Sequence, residues 1–233
     1  MARVQLFLST VSAEFLSYRE RLRHLLTRPD VEVKVQEDFI VTGNETLEML
    51  DAYIQGCDGV IHLVGDMTGA MAKPQSVAAI AQRYPELATR FPLGEFLQPG
   101  GPSLSYTQWE AWLALLHGKP LFIATPEAWA PRDQMYLCEP SQQALQQAHL
   151  SRLKEVGRYP GTPFSSQDHL AAEVLRSFVL DLLMQAGLTR RPLTLPFRSI
   201  GPLFKGRAAL IEQLEDATRP VALIGQGGVG KTR

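Results

Sequence analysis

Two stretches of this chain carry residues whose type and spacing could do chemistry. The first is Glu110, in Leu104-Ser-Tyr-Thr-Gln-Trp-Glu-Ala-Trp-Leu-Ala-Leu-Leu-His-Gly-Lys-Pro-Leu-Phe-Ile-Ala-Thr125. Trp109, Trp112, Leu113 and Leu116 recur at the spacing of one helical face, and Ala111, Ala114 and Leu115 make the rest of the helix almost as apolar. A carboxylate in such a helix is costly to bury unless paired or neutralised, which makes Glu110 a candidate catalytic group. The second stretch is Gly225-Gln-Gly-Gly-Val-Gly-Lys-Thr232, which fits the pattern G-x-x-x-x-G-K-[ST] and follows the apolar run Val221-Ala-Leu-Ile224. In such a loop the backbone amides at Gly225, Gly227, Gly228 and Gly230 face phosphates, Lys231 reaches the β/γ-phosphates, and Thr232 ligates Mg²⁺.

Glu110 also has a structural reading. Thr107 to Glu110 fits a capping box, in which the acid reaches back to the N-cap amide. Ser105 to Gln108 fits the same box, and would leave Glu110 one turn inside the helix with no capping duty. Gly118 is a helix stop, and Pro120 to Ala124 reads as a buried strand.

The elements around these residues alternate. Val4 to Leu8 reads as a central strand, followed by Ser9-Thr10-Val11-Ser12, rich in helix N-cap types. Phe15, Tyr18, Leu22, Leu25 and Leu26 form a helical stripe. Val31, Val33 and Val35 alternate as a strand, and Leu47, Leu50, Tyr53 and Ile54 mark another helix. Gly59 to Gly65 is the strongest strand. Strand–helix–strand–helix–strand at this spacing predicts an α/β fold with a central parallel sheet flanked by helices on both faces. Residues 66–102 form a long connection with one helix over Gln75 to Gln82. Ser141 to Val156 reads as a polar helix and Gln167 to Gly187 as a long amphipathic one. We expect one domain over 1–187, a proline-punctuated linker over 188–203, and the truncated start of a P-loop domain over 204–233.

Composition narrows the class. The chain has 233 residues, is 45% hydrophobic and has a formal net charge of −1, which disfavours a direct nucleic-acid binder. No run is long enough to span a membrane, and no signal-peptide core is present. Two cysteines, Cys57 and Cys138, lack metal-ligand spacing and suit a reducing cytoplasm, with both thiols expected to be buried. The five histidines show no triad or metal spacing, so no metal site is expected in this fragment.

Several segments together resemble the TIR-like domains that precede STAND-type, NLR-like P-loop NTPases. They are Phe7-Leu-Ser-Thr-Val11 with Glu14, Phe15 and Arg19; Glu37-Asp-Phe39; Cys57-Asp-Gly-Val-Ile-His-Leu-Val-Gly65; and Glu110-Ala-Trp-Leu-Ala-Leu-Leu-His-Gly-Lys119. Phe204-Lys-Gly-Arg207, a helix, a strand and the glycine-rich loop resemble the start of the NTPase domain. The stretch between the third strand and the Glu110 helix is longer than in TIR domains.

The resemblance implies a flavodoxin-like TIR fold and an NAD⁺ nucleosidase, with Glu110 in register with Ala114, Leu115, Gly118 and Lys119 as the catalytic glutamate. It implies substrate contacts from Ser9, Thr10, Phe39, Tyr106 and Trp109. NAD is then substrate, while ATP and Mg²⁺ belong to the full-length NTPase only. Cleaving the bond to nicotinamide builds oxocarbenium-like charge on the ribose, which one carboxylate can stabilise or attack. Implied partners are other copies, through TIR-like self-association, and the missing C-terminal NTPase and sensor regions. The setting is cytoplasmic defence signalling. Two alternatives stand beside it: a non-enzymatic self-association module, and a nucleoside or nucleotide glycosyl-transfer enzyme using the same glutamate.

Overall fold

The computed structural model describes residues 3–35 and 46–187. The chain divides into two compact units, Met1–Thr189 and Arg190–Arg233. The glycine-rich loop, the linker and Phe39 lie outside the described residues.

The first unit is built on four parallel strands: β1 (Val4–Ser9), β2 (Val31–Val35), β3 (Gly59–Leu63) and β4 (Leu121–Ala124), in the order β2-β1-β3-β4. Leu6 pairs with Val33 on one side and Gly59 on the other, and Val60 pairs with Leu121. Burial follows position in the sheet. Every residue of the interior strand β3 is buried, while the edge strand β2 alternates, with Val31, Val33 and Val35 in and Glu32 and Lys34 half-exposed.

Helices cover both faces. Leu6, Leu8, Ile61 and Leu63 pack with α1 (Ser12–Leu26) and with α7 (Gln167–Val174), which runs through a π-helical turn (Leu175–Val179) into α8 (Leu180–Gln185). Phe7, Val60 and Ile123 face the other core, with α2 (Thr46–Gly56), α3 (Pro74–Arg83) and α5 (Tyr106–Leu116). The short α4 (Leu87–Arg90) and a 3₁₀ turn (Gly94–Leu97) fill the long connection before α5. The polar helix α6 (Pro140–Glu155) places Leu153 in the same core. Among the described residues no helix is long and apolar enough to cross a membrane.

Three local readings change. The N-cap of α1 is Val11, with no side-chain cap, because Ser9 is still the last residue of β1. α1 also breaks at Phe15 (φ −135°, ψ 30°), and the Ser17 amide beyond the break donates to Asp133 Oδ2 at 2.8 Å, a cap supplied from 116 residues away. Cys57 is buried, as expected, but Cys138 is exposed, because it falls on the irregular segment after β4 and not in an element.

Candidate functional site

The order β2-β1-β3-β4 places the reversal of strand order between β1 and β3, and open parallel sheets bind ligands beyond the carboxyl ends of their strands at such a point. Ser9 ends β1 there and Thr10 follows it. The first turn of α5 stands over them, with the Ser9 hydroxyl 3.5 Å from the Thr107 carbonyl.

The N-terminus of α5 is closed by Ser105 and Gln108. The Gln108 amide donates to Ser105 Oγ at 3.1 Å, and the Ser105 amide donates to Gln108 Oε1 at 3.1 Å. The capping box is therefore the Ser105–Gln108 one, and Glu110 is not part of it. Glu110 is 2% exposed on a helix whose other residues from Thr107 to Leu116 are also buried. It stands three residues after Thr107 and seven before His117, whose ring bonds Asp51 of α2 at 2.6 Å. Gly118, at φ +64°, then stops α5 in the left-handed conformation that side chains resist.

The other expected contacts are distributed unevenly. Ser9 is fully buried and shares a 2.8 Å hydrogen bond with His62 Nδ1. The Thr10 hydroxyl is buried with no hydrogen-bond partner among the described residues. Tyr106 is half-buried and its hydroxyl accepts from the Lys73 amide at 3.2 Å, at the start of α3. Trp109 is completely buried in the core, and its indole N–H has no partner among the described residues.

Sequence reasoning passed over a polar system at the same edge. His62 on β3 bonds Ser9, and its Nε2 lies 3.1 Å from Nε2 of His149 on α6, giving a buried chain Ser9–His62–His149. Burial pushes the His62 imidazole down to about 3, and burial, then His62 and Arg152, hold His149 well below its ordinary value. Both rings are therefore neutral at physiological pH, and one must donate to the other.

Glu14 anchors the other side. Its carboxylate is fully buried and accepts from the amides of Asp66 (3.1 Å) and Met67 (2.9 Å) and from Arg132 Nε (2.8 Å). Gly65 makes this possible, since a Cβ there would overlap the Glu14 carboxylate. The glutamines of α6 hold the same loop: Gln142 Oε1 accepts from the Thr68 amide at 3.1 Å, and Gln146 Nε2 donates to the Met67 carbonyl at 2.8 Å. Among the described residues no group of three or more His, Cys, Asp or Glu is placed to hold a metal ion.

These features define an α/β domain with a parallel sheet and a buried carboxylate-bearing helix over its carboxyl edge. No protein-family model matches the chain, and no curated protein matches it.

Proposed function

We propose that the first unit is an NAD⁺ nucleosidase whose catalytic carboxylate is Glu110, and that it serves as the effector of a STAND-type defence protein activated by self-association. One observation carries this reading. The helix is capped by Ser105 and Gln108, so capping does not account for a carboxylate 2% exposed on α5. The register of Glu110 with Ala114, Leu115, Gly118 and Lys119 supports the same role. A carboxylate beside the ribose stabilises or captures the oxocarbenium-like centre as neutral nicotinamide leaves, without a strong general acid. The Thr10 hydroxyl is the better substrate contact of the β1 pair, because the Ser9 hydroxyl is already engaged by His62. The loop from Gly225 to Thr232 carries the residue types that take ATP and Mg²⁺.

Glu110→Gln keeps size and removes only charge. Nicotinamide release from clustered protein should fall by about a hundred-fold or more with the melting temperature little changed. A folded variant that hydrolyses NAD⁺ near the parent rate overturns the assignment. A second reading, a non-enzymatic interaction module, has one observation in its favour. Trp129 (73% exposed), Met135 and Leu137 present large apolar side chains on one segment between β4 and α6. A parent protein that releases no nicotinamide even when clustered favours that reading.

A further inference from the structure

A concave site lies beyond the carboxyl ends of β3 and β4, and Glu110, Ser9 and Thr10 do not line it. It is a cleft of about 440 Å³, within the size of small-molecule sites. Asp66 from the loop after β3, Arg132, Tyr136 and Cys138 from the segment before α6, and Gln143 and Gln147 of α6 line it, with Val64, Pro126 and Leu150 among its apolar walls.

The charges decide what it can hold. Arg132 is the one lining cation, and its guanidinium is neutralised by Glu14, fully buried behind it, at 2.8 Å. Its NH1 also donates to the Ala130 carbonyl at 2.6 Å, and the group lies 5.5 Å from the Tyr136 ring centroid. Asp66 has no ion pair among the described residues. Its oxygens accept one neutral hydrogen bond each, from the Tyr136 hydroxyl at 2.5 Å and from Gln143 Nε2 at 2.9 Å, leaving capacity for further donors. The Asp66 bond, burial and Cys138 all raise the Tyr136 phenol, so it stays protonated as the donor. The Gln143 donor is spent on Asp66, while its carbonyl is an acceptor. The cleft therefore combines one carboxylate without a counter-ion, amide acceptors and apolar walls, and no cation is left over for a phosphate.

We propose that this cleft binds a small organic monocation carrying several N–H donors, an amine, guanidine or amidine, whose charged head pairs with Asp66 and whose body lies on the Pro126 and Leu150 walls. Anionic nucleotides are excluded by the same carboxylate.

The chain carries its own reporter. It has two thiols; Cys138 is exposed and lines the cleft, while Cys57 is buried and its thiol is pushed up to about 11 by burial, so it stays silent. Alkylation of the full chain by iodoacetamide is followed with agmatine, or with AMP, at millimolar concentration, and agmatine affinity is measured by calorimetry. Agmatine should slow Cys138 alkylation several-fold and AMP should not. Asp66→Asn should weaken agmatine binding by about ten-fold or more, because one charge-assisted bond is lost. Gln147→Trp, which fills the cleft from an exposed helix position, should abolish agmatine binding with the melting temperature unchanged, and it decides the matter if Asp66→Asn does not fold. Absence of protection by agmatine, equal protection by AMP, or unchanged agmatine affinity in either folded variant overturns the proposal. None of these outcomes bears on Glu110, since nicotinamide release is read separately.

Discussion

The two sides of β3 treat polar groups in opposite ways. Towards β1, Ser9, His62 and His149 are dry and neutral, with both imidazoles kept uncharged by burial. Towards β4, Glu14, Arg132 and Asp66 bring acidic and basic side chains to a cleft that the exposed Cys138 also lines. The difference follows from what covers each side. The dry side lies under α5 and α6, where Trp112 packs edge-on against His149 with centroids 6.0 Å apart. The charged side shares α6 through Gln143 and Gln147 but is otherwise covered by the irregular segment after β4, pinned by a few hydrogen bonds such as Tyr18 Oη to the Pro131 carbonyl at 2.9 Å. A packed helix leaves no room for hydrated charge, whereas a pinned loop does.

The sharpest way to break this contrast is to remove the cation of the charged side. Arg132→Ala leaves the fully buried Glu14 with its two backbone amides alone. Losing one partner of a buried ion pair typically destabilises by about 3–5 kcal/mol, and the surviving amide bonds place this case near the lower end. Chemical denaturation should show that loss. If it is below about 1 kcal/mol, the pair behaves as a solvated surface bridge and the charged side is wetter than the packing indicates.

Acid should instead find the dry side. The His62 pKa falls from an ordinary 6.5 to about 3 on folding, and His149 also falls. Above pH 6.5 both are neutral whether folded or unfolded, and they add no pH dependence. As pH drops below 6.5 the unfolded chain takes up protons that the folded chain refuses, so stability is lost progressively down to about 3. Each histidine contributes a slope approaching about 1.4 kcal/mol per pH unit in that window. Denaturation curves between pH 6.5 and 5 should be visibly flatter for His62→Gln than for the parent. Equal slopes would show that the imidazoles charge within the fold and that the side is not dry.

What could be read from the chain alone divides along the same line. The parallel α/β architecture was legible because β1, β2, β3 and α5 advertise themselves through periodicity over neighbouring residues. Glu110 was legible as an acid on an apolar helix, and the ambiguity over its cap was a choice between two boxes two residues apart. The Glu14–Arg132 pair was not, because its partners are 118 residues apart and Arg132 sits where no periodic pattern runs. The stretch that forms α6 read only as a polar helix, with no hint of what its glutamines hold. Gln142, Gln143 and Gln146 are spent on the loop after β3, since an amide bonding a distant loop has no sequence period. The helical stretch after Ser9 was visible, but the sheet extends one residue further than the apolar run, which moves the cap to Val11 and gives Ser9 to His62.

The smallest expected effect tests the junction on which the reading of Glu110 rests. Gln108 makes three kinds of contact: its backbone donates to Ser105 Oγ, its Oε1 accepts from the Ser105 amide, and its Nε2 donates to α6, to Gln146 Oε1 at 2.9 Å and the Leu145 carbonyl at 3.5 Å. Gln108→Ala removes the latter two and leaves the Ser105 hydroxyl cap in place. Loss of half a capping box and one side-chain bond should cost about 1 kcal/mol. Thr107→Ala deletes a hydroxyl that takes no part in the box, and should change stability less than Gln108→Ala does. The comparison with Glu110→Gln is the informative one. If Gln108→Ala is the more destabilising of the two, while Glu110→Gln alone loses nicotinamide release, then capping and chemistry belong to different residues two positions apart. If instead Glu110→Gln costs as much stability as Gln108→Ala and activity tracks the melting temperature in both, Glu110 is a structural acid, and the carboxyl edge of β1 needs another catalytic group.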